Sequence, residues 1–405
     1  MFYSAYTLPN NIRIIHHYEN SPIVYCGFAV GVGSRNENEE QHGLAHFTEH
    51  MFFKGTKKRK SWHILNRLET VGGTLDAYTT KEETFVYSAI PTTYYERAVE
   101  LLSDILFNSQ FPQHEIDKEV DVIIDEIQSY NDTPSELIFD NFDTLLFGDS
   151  ELGHNILGNE QQLKTYPNND FIAFLQQNYS SDKIVFFTSG QIDFNKVIKL
   201  ANKFLNKEYR NSLIKRNAPK NYTPQTIKTQ RDTYQTHCII GNRGYELNNP
   251  KRLSLFLLNN ILGGPSMNSM LNLSIREKNG LAYTIESEIA SYSDCGSFTI
   301  YFGCDHKNSD RCISLCKKEL KKLCEQPINE KKLQHYKRQT IGQLMIASQN
   351  RESVALSMAR SFLHLNTFYD LNDTSQEINK ITSSQLQEVA NEIFNEQQLS
   401  YLLFY

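Results

Sequence analysis

Gly43-Leu44-Ala45-His46-Phe47-Thr48-Glu49-His50-Met51-Phe52-Phe53 is the stretch from which the rest of this chain is best read. It contains no proline, and its apolar residues follow a helical pattern. On a helix, residues four apart share a face, so His46 and His50 stand side by side. Two imidazoles so placed suit two corners of one tetrahedral zinc ion. Glu49 lies three residues after His46 and shares that face, and its place next to His50 lets it bond a water at the metal rather than the metal itself. The order H-x-x-E-H reverses the H-E-x-x-H pattern of zinc proteases. Taken alone, the pentapeptide also fits two surface histidines beside a solvated glutamate. With 12 His in 405 residues, chance supplies the pattern in roughly two or three chains per hundred of this length.

A catalytic zinc takes a third protein ligand and keeps a fourth position open. The run 115–127 offers one on a second helix, where Ile116, Val120, Ile123, Ile124 and Ile127 form an apolar stripe. Glu119 and Glu126 are seven apart, two turns along one face. Spacing by itself does not separate Glu126 from Asp125, or either from an amphipathic helix with a solvated acidic side.

These motifs and their flanks resemble the M16 (pitrilysin/insulinase) metallopeptidases, and within them the single-length, mitochondrial-processing-peptidase-like group. The flanks are Gly43-Leu44-Ala45, Met51-Phe52-Phe53-Lys54-Gly55-Thr56 and Gly72-Gly73-Thr74-Leu75-Asp76-Ala77-Tyr78-Thr79-Thr80-Lys81-Glu82, and the resemblance runs from about residue 5 to the C-terminus. In that family a glutamate ligand follows H-x-x-E-H by about 76 residues, which falls on Glu126. A supporting glutamate seven residues earlier falls on Glu119. The resemblance therefore implies a zinc endopeptidase in which His46, His50 and Glu126 hold Zn2+ and Glu49 serves as general acid and base. It further implies that Arg276 and Tyr283, in Arg276-Glu277-Lys278-Asn279-Gly280-Leu281-Ala282-Tyr283, complete the substrate and oxyanion contacts. Read without it, Arg276 is a solvated helix residue and Tyr283 a half-buried strand residue. Asp76, Ala77 and Tyr78 resemble the edge strand on which a substrate peptide pairs. Three positions depart from the family pattern: related chains often have Gly and Arg at Ser266 and Met270, and many have Asn at Asp76. A carboxylate at 76 would favour basic or N–H-rich substrate positions.

The length points to two or three domains. The halves echo each other: a helix over 171–179 and a strand over 184–187 match a helix over 386–394 and a strand over 399–404, with the same spacing between them. Likewise a strand at 84–90 and a helix at 94–106 match a strand at 297–302 and a helix at 309–323. This pattern predicts an α+β chain of two similar domains, each a mostly antiparallel sheet packed with helices. We place the zinc-carrying domain at 1–207, a polar linker bracketed by prolines at 208–224, and a metal-free domain carrying the Arg/Tyr pair at 225–405. The M16 fold implied by the resemblance is the same.

No apolar run approaches 18 residues, so no membrane insertion is expected. The net charge of −6 leaves no footprint for nucleic acid. The seven cysteines show no C-x-x-C pairing and read as reduced packing residues. With a start that lacks a basic, apolar leader, the expectation is a cytoplasmic protein. Double-length members of the family carry the zinc site in one half and the Arg/Tyr pair in the other. This chain is one such half with both sets, which predicts a homodimer acting on peptides or unfolded segments inside a chamber. The rival reading is a non-catalytic scaffold or assembly subunit of an M16-type complex, and a second is zinc-assisted hydrolysis of another kind, such as deacylation.

Overall fold

The computed structural model describes residues 3–207, 216, 218–220 and 222–405. They form two compact units: Met1–Gln128 with His154–Arg216 and Ser348–Asp370, and Ser129–Gly153 with Asn217–Ala347 and Leu371–Tyr405. The chain changes unit after Arg216, inside the stretch read as a linker, of which 208–215, 217 and 221 lie outside the described residues. Two further segments change unit, 129–153 and 348–370. A reading in contiguous halves did not anticipate either exchange.

The first unit is built on six strands, β1 (Tyr3–Thr7), β2 (Arg13–Tyr18), β3 (Ile23–Val30), β4 (Asp76–Thr79), β5 (Thr84–Pro91) and β6 (Ile184–Gly190). Their order is β1-β2-β6-β3-β5-β4, so β4 is an edge. All neighbours are antiparallel except β2 and β6. The second unit has β7 (Thr226–Thr229), β8 (Thr236–Gly244), β9 (Ala282–Ser291), β10 (Gly296–Cys304) and β11 (Ser400–Phe404). Its order, β7-β11-β8-β10-β9, repeats that of β2-β6-β3-β5-β4, with one parallel pair, β7 and β11, in the equivalent place. The architecture is α+β, as the strand and helix pattern predicts.

Both sheets are covered on both faces. In the first unit, Cys26, Phe28, Val86 and Phe186 pack into the main core with the helix Tyr95–Asn108. The alternate residues Ala29, Phe85, Val185 and Phe187 pack against Ala355, Met358, Ala359 and Phe362 of the helix Arg351–Leu365. In the second unit the helix Pro134–Phe147 has the same role, its Ile138, Phe142 and Leu146 covering Ile239, Tyr301 and Leu402. Burial on both faces explains the unbroken apolar runs such as Ile184-Val185-Phe186-Phe187, since neither face needs polar side chains. All seven cysteines are free, and Cys26, Cys238, Cys304, Cys312 and Cys316 are buried packing residues. No helix among the described residues is long and apolar enough to cross a membrane.

Candidate metal centre and active site

His46, Glu49 and His50 lie on a short helix, Leu44–Met51, almost all of which is buried. Gly43 precedes it with φ +88°, a left-handed conformation that favours glycine. Eight residues leave little intrinsic stability, so the helix depends on its surroundings. Glu37 supplies part of that support: its carboxylate accepts from the N–H groups of Gly43 at 3.0 Å and Ala45 at 2.7 Å, satisfying orphan donors at the helix start. Burial pushes the Glu37 carboxyl up to about 8, against the pull of those two donors.

The second helix, Gln113–Asn131, brings Glu119 and Glu126 to the same place. His46 Nε2 and His50 Nε2 are 3.2 Å apart, and Glu126 Oε2 lies 3.8 Å from the first and 3.7 Å from the second. Zinc–ligand bonds of about 2.0–2.1 Å at tetrahedral angles separate neighbouring donors by roughly 3.4 Å. The three atoms therefore fit one zinc ion with little adjustment. Among the described residues they are the one group of three His, Cys, Asp or Glu donors close enough to share an ion. Asp125, the neighbour that spacing could not set aside, is not part of it.

Glu119 is 6 % exposed and sits behind His50, its Oε1 2.9 Å from Nδ1. Its other oxygen is paired with the Lys54 ammonium. Burial works to raise the Glu119 carboxyl, but the bonds from His50 and Lys54 outweigh it and hold it below the usual range. As an ionised carboxylate it only accepts, so Nδ1 of His50 carries a proton, and in the neutral ring the Nε2 lone pair is the one left for a metal. Burial pulls both imidazoles down, and the charge of His50 adds to it at His46, which is pushed down to about 3. At His50 the neighbouring Glu119, Glu49 and Glu126 outweigh burial and raise it. A neutral His46 is the form that binds metal.

Glu49 is 8 % exposed and accepts a hydrogen bond from the Thr79 hydroxyl at 2.6 Å on Oε2. Burial raises its carboxyl, while Thr79 and His50 oppose the rise. Asp76, Ala77 and Tyr78 lie on edge strand β4, opposite Tyr87, Val86 and Phe85. The Asp76 side chain is exposed. The Tyr78 ring stacks on Phe85, with centroids 4.7 Å apart.

Arg276 and Tyr283 belong to the second unit. Arg276 lies in the last turn of a helical segment, Asn272–Glu277, and Tyr283 is the second residue of β9, with 79 % of its surface exposed. The guanidinium lies 5.1 Å from the Tyr283 ring centroid, a cation–π pair that the seven-residue spacing brings together. Ser266, one of the departures, accepts from the side-chain amides of Gln339 at 2.8 Å and Gln343 at 2.5 Å. Met270, another, packs against the core of this unit. Sequence reasoning did not single out Glu37, Lys54 or Thr79. Glu37 reaches the helix from outside any local capping spacing, so no window would reveal it. Lys54 and Thr79 stand in the quoted flanks, where helix and strand registers give a signal but no partner.

Two α+β units of matching strand order, one bringing two histidines and a glutamate within reach of a single metal ion, are what the resemblance to M16 implies. Comparison with known proteins agrees. The insulinase (peptidase family M16) profile matches residues 13–160, and the peptidase M16 inactive domain profile matches 167–340. The uncharacterised zinc protease YmxG of Bacillus subtilis (strain 168) is 30 % identical over 394 residues, covering 96 % of this chain and 95 % of that one. An uncharacterised zinc protease of Rickettsia felis is 31 % identical over 369 residues, covering 90 % and 88 %. This chain belongs to the M16 peptidase family. Among solved structures, a protease from Helicobacter pylori is similar in fold with a TM-score of 0.90, at 20 % identity and covering 100 % and 99 % of the two chains. A peptidase M16 inactive domain from Pseudomonas fluorescens gives 0.92, at 17 % identity and covering 100 % and 98 %.

Proposed function

We propose that this protein is a zinc-dependent endopeptidase of the processing-peptidase-like group, cutting peptides or unfolded segments within an enclosed chamber. The observation that carries the reading is the set of three donor atoms 3.2–3.8 Å apart with buried Glu49 beside them. His46, His50 and Glu126 hold the ion, and Glu119 orients His50. When bound, zinc would polarise the scissile carbonyl and make a water acidic enough to react at neutral pH. Glu49 takes the proton of the attacking water and delivers it to the leaving amide nitrogen. The substrate adds as a strand to β4 at Asp76, Ala77 and Tyr78, where one edge is free of sheet partners. Main-chain bonds supply affinity there, and the Asp76 carboxylate favours basic neighbours in the peptide. Arg276 and Tyr283 hold substrate oxygens and the oxyanion, with a donor so aimed contributing roughly 3 kcal/mol.

The chamber, the homodimer and the part played by Arg276 and Tyr283 rest on the family resemblance. Seven unpaired cysteines suit a reducing compartment, which supports a cytoplasmic setting. The test is zinc analysis together with cleavage of a mixed peptide library, with and without chelator, for the wild type and Glu49→Gln. Expected are about one zinc per chain, chelator-sensitive cleavage, and a Glu49→Gln protein that keeps zinc but loses on the order of 100- to 10,000-fold in turnover. Metal-replete Glu49→Gln with normal turnover would remove Glu49 from the mechanism. A zinc-free wild type that cuts nothing would favour the scaffold reading.

A further inference from the structure

We infer that Thr79 is a positioning residue for Glu49, tying the base to the edge strand on which substrate adds, and that the buried turn after it exists to hold it there. The inference builds on the proposed role of Glu49. Thr79 is the last residue of β4, and its Oγ1 donates to Glu49 Oε2 at 2.6 Å, the length of a charge-assisted hydrogen bond. A glutamate on a helix has three side-chain torsions and sweeps a wide arc unless something fixes its end. The hydroxyl fixes one carboxylate oxygen. Oε1 has no protein donor among the described residues and stays available for a water proton.

The turn that follows is chemically expensive. Lys81, Glu82 and Glu83 are 5 %, 2 % and 4 % exposed, and buried charge is costly unless fully paired. A turn of small polar residues would join β4 to β5 without that cost. Here every charge is anchored on a different part of the unit. The Lys81 ammonium donates to the carbonyl of His154. Glu82 pairs with Arg35 at 2.6 Å and Arg216 at 3.2 Å. Glu83 accepts from Arg360 Nε at 2.8 Å and bonds His364 Nε2 at 2.6 Å, both on the helix Arg351–Leu365. The main chain is clamped as well, with Ser34 N–H on the Thr80 carbonyl at 3.1 Å and Arg35 N–H on that of Lys81 at 2.8 Å. A four-residue edge strand would fray without such anchors. With them, Thr79 sits on a rigid mount, and a peptide pairing along β4 meets a base already aimed.

The experiment compares Thr79→Val, which keeps shape and strand propensity but has no hydroxyl, with Thr79→Ser, which keeps the hydroxyl. Thr79→Val should lower kcat about 10- to 100-fold, the range for residues that orient a reacting group. KM, zinc content and Tm should stay at wild-type values, and Thr79→Ser should recover most of kcat. Thr79→Ala, which adds no apolar group beside Glu49, should show the same loss as Thr79→Val. Peptide binding, measured in the non-cleaving Glu49→Gln background, should be the same with and without Thr79→Val. Wild-type kcat in Thr79→Val, equal losses in the Val and Ser variants, or weakened binding that accounts for the loss would each overturn the inference. Loss of zinc or of Tm in the Val and Ala variants would also overturn it, since Thr79 would then be a structural residue. A fully active Glu49→Gln protein would instead bring down the proposed mechanism. An inactive Glu49→Gln beside a Thr79→Val enzyme of normal kcat would remove the role of Thr79 alone.

Discussion

Glu83→Gln measures what the ionised carboxylate of the buried turn contributes to folding stability. Burial alone would raise the Glu83 carboxyl, but the bonds and charges of His364 and Arg360 prevail and bring it from the usual 4.5 to about 2. A depression of that size corresponds to about 3 kcal/mol of folding stability at neutral pH. Removing the carboxylate strands little charge, because the Arg360 side chain is 50 % exposed and can be hydrated where it stands. The sign follows from linkage. The folded state holds this proton less tightly than the unfolded state, so the contribution is complete above the unfolded value of 4.5. It is lost as pH falls through the folded value of about 2. By the same relation roughly 1–2 kcal/mol remains at about pH 3. The assay is urea unfolding of wild type and Glu83→Gln at both pH values. Far-UV circular dichroism and the emission of Trp62, the single tryptophan, follow the transition in the first unit. The gap between the two proteins should be about 3 kcal/mol near pH 7 and less than half of that near pH 3. A gap that does not change with pH, or that widens in acid, would refute the assignment of this stability to the Glu83 charge.

Three further outcomes are expected. Glu126→Gln should lower zinc occupancy after dialysis while Asp125→Asn leaves it unchanged, since only Glu126 places an oxygen near both imidazoles; metal analysis showing the reverse would move the third ligand by one residue. Gly43→Ala should destabilise the first unit by about 1–3 kcal/mol in denaturant melts, because φ is +88° and the added Cβ would stand 2.7 Å from the carbonyl oxygen of Leu157; an unchanged midpoint would show that the motif helix tolerates a shifted start. A mixed dimer of Glu49→Gln and Tyr283→Phe subunits should recover peptidase activity that neither has alone, because one of its two sites then combines an intact zinc centre with an intact tyrosine from the other subunit; no recovery despite verified subunit exchange would exclude completion of the site in trans.

Part of the cluster was legible because it rests on local periodicity. Four residues on a helix bring His46 to His50, and seven bring Glu119 onto the face of Glu126. Family resemblance favoured Glu126 over Asp125, and the side-chain geometry places only Glu126 with the two histidines. The repeat was legible too, in matched spacings that became β6 beside β2 and β11 beside β7, the one parallel pair of each sheet. The exchanged helices were not. The apolar stripes of Pro134–Phe147 and Arg351–Leu365 state that each must bury a face, but amphipathicity carries no address, and the sheet that receives each is far away in sequence. The unbroken apolar strands held the complementary clue, since a strand apolar on both sides needs a second layer. Glu37 stayed hidden for a similar reason: it caps the motif helix through a loop, outside the short-range spacing by which caps are recognised.

The two units also provide an internal control on what the buried acidic and basic side chains are for. They share strand order and both bury both faces of their sheets. Yet among the described residues the second unit buries only Glu319 and Lys337 of its Asp, Glu, Lys and Arg side chains. The first buries Arg35, Glu37, Glu49, Lys81, Glu82, Glu83 and Glu119 around the motif helix and the turn behind β4, and Asp104 and Asp370 besides. Since the second unit completes the same strand order without such a cluster, the topology does not require it. Buried ion pairs add little net stability over well-packed apolar residues of the same size. What they add is fixed direction for polar atoms, because a carboxylate held by several donors has its oxygens aimed and a packed leucine has no polar atom to aim. Glu37 fixes the start of the helix that carries both histidines and Glu49. Glu119 fixes the ring of His50, and Glu82 and Glu83 fix the turn beside Thr79. The unit that carries the candidate donor set is the unit built to hold its polar groups still, and the proposed mechanism, which aims a water, a proton and a carbonyl at one another, needs that property more than extra stability.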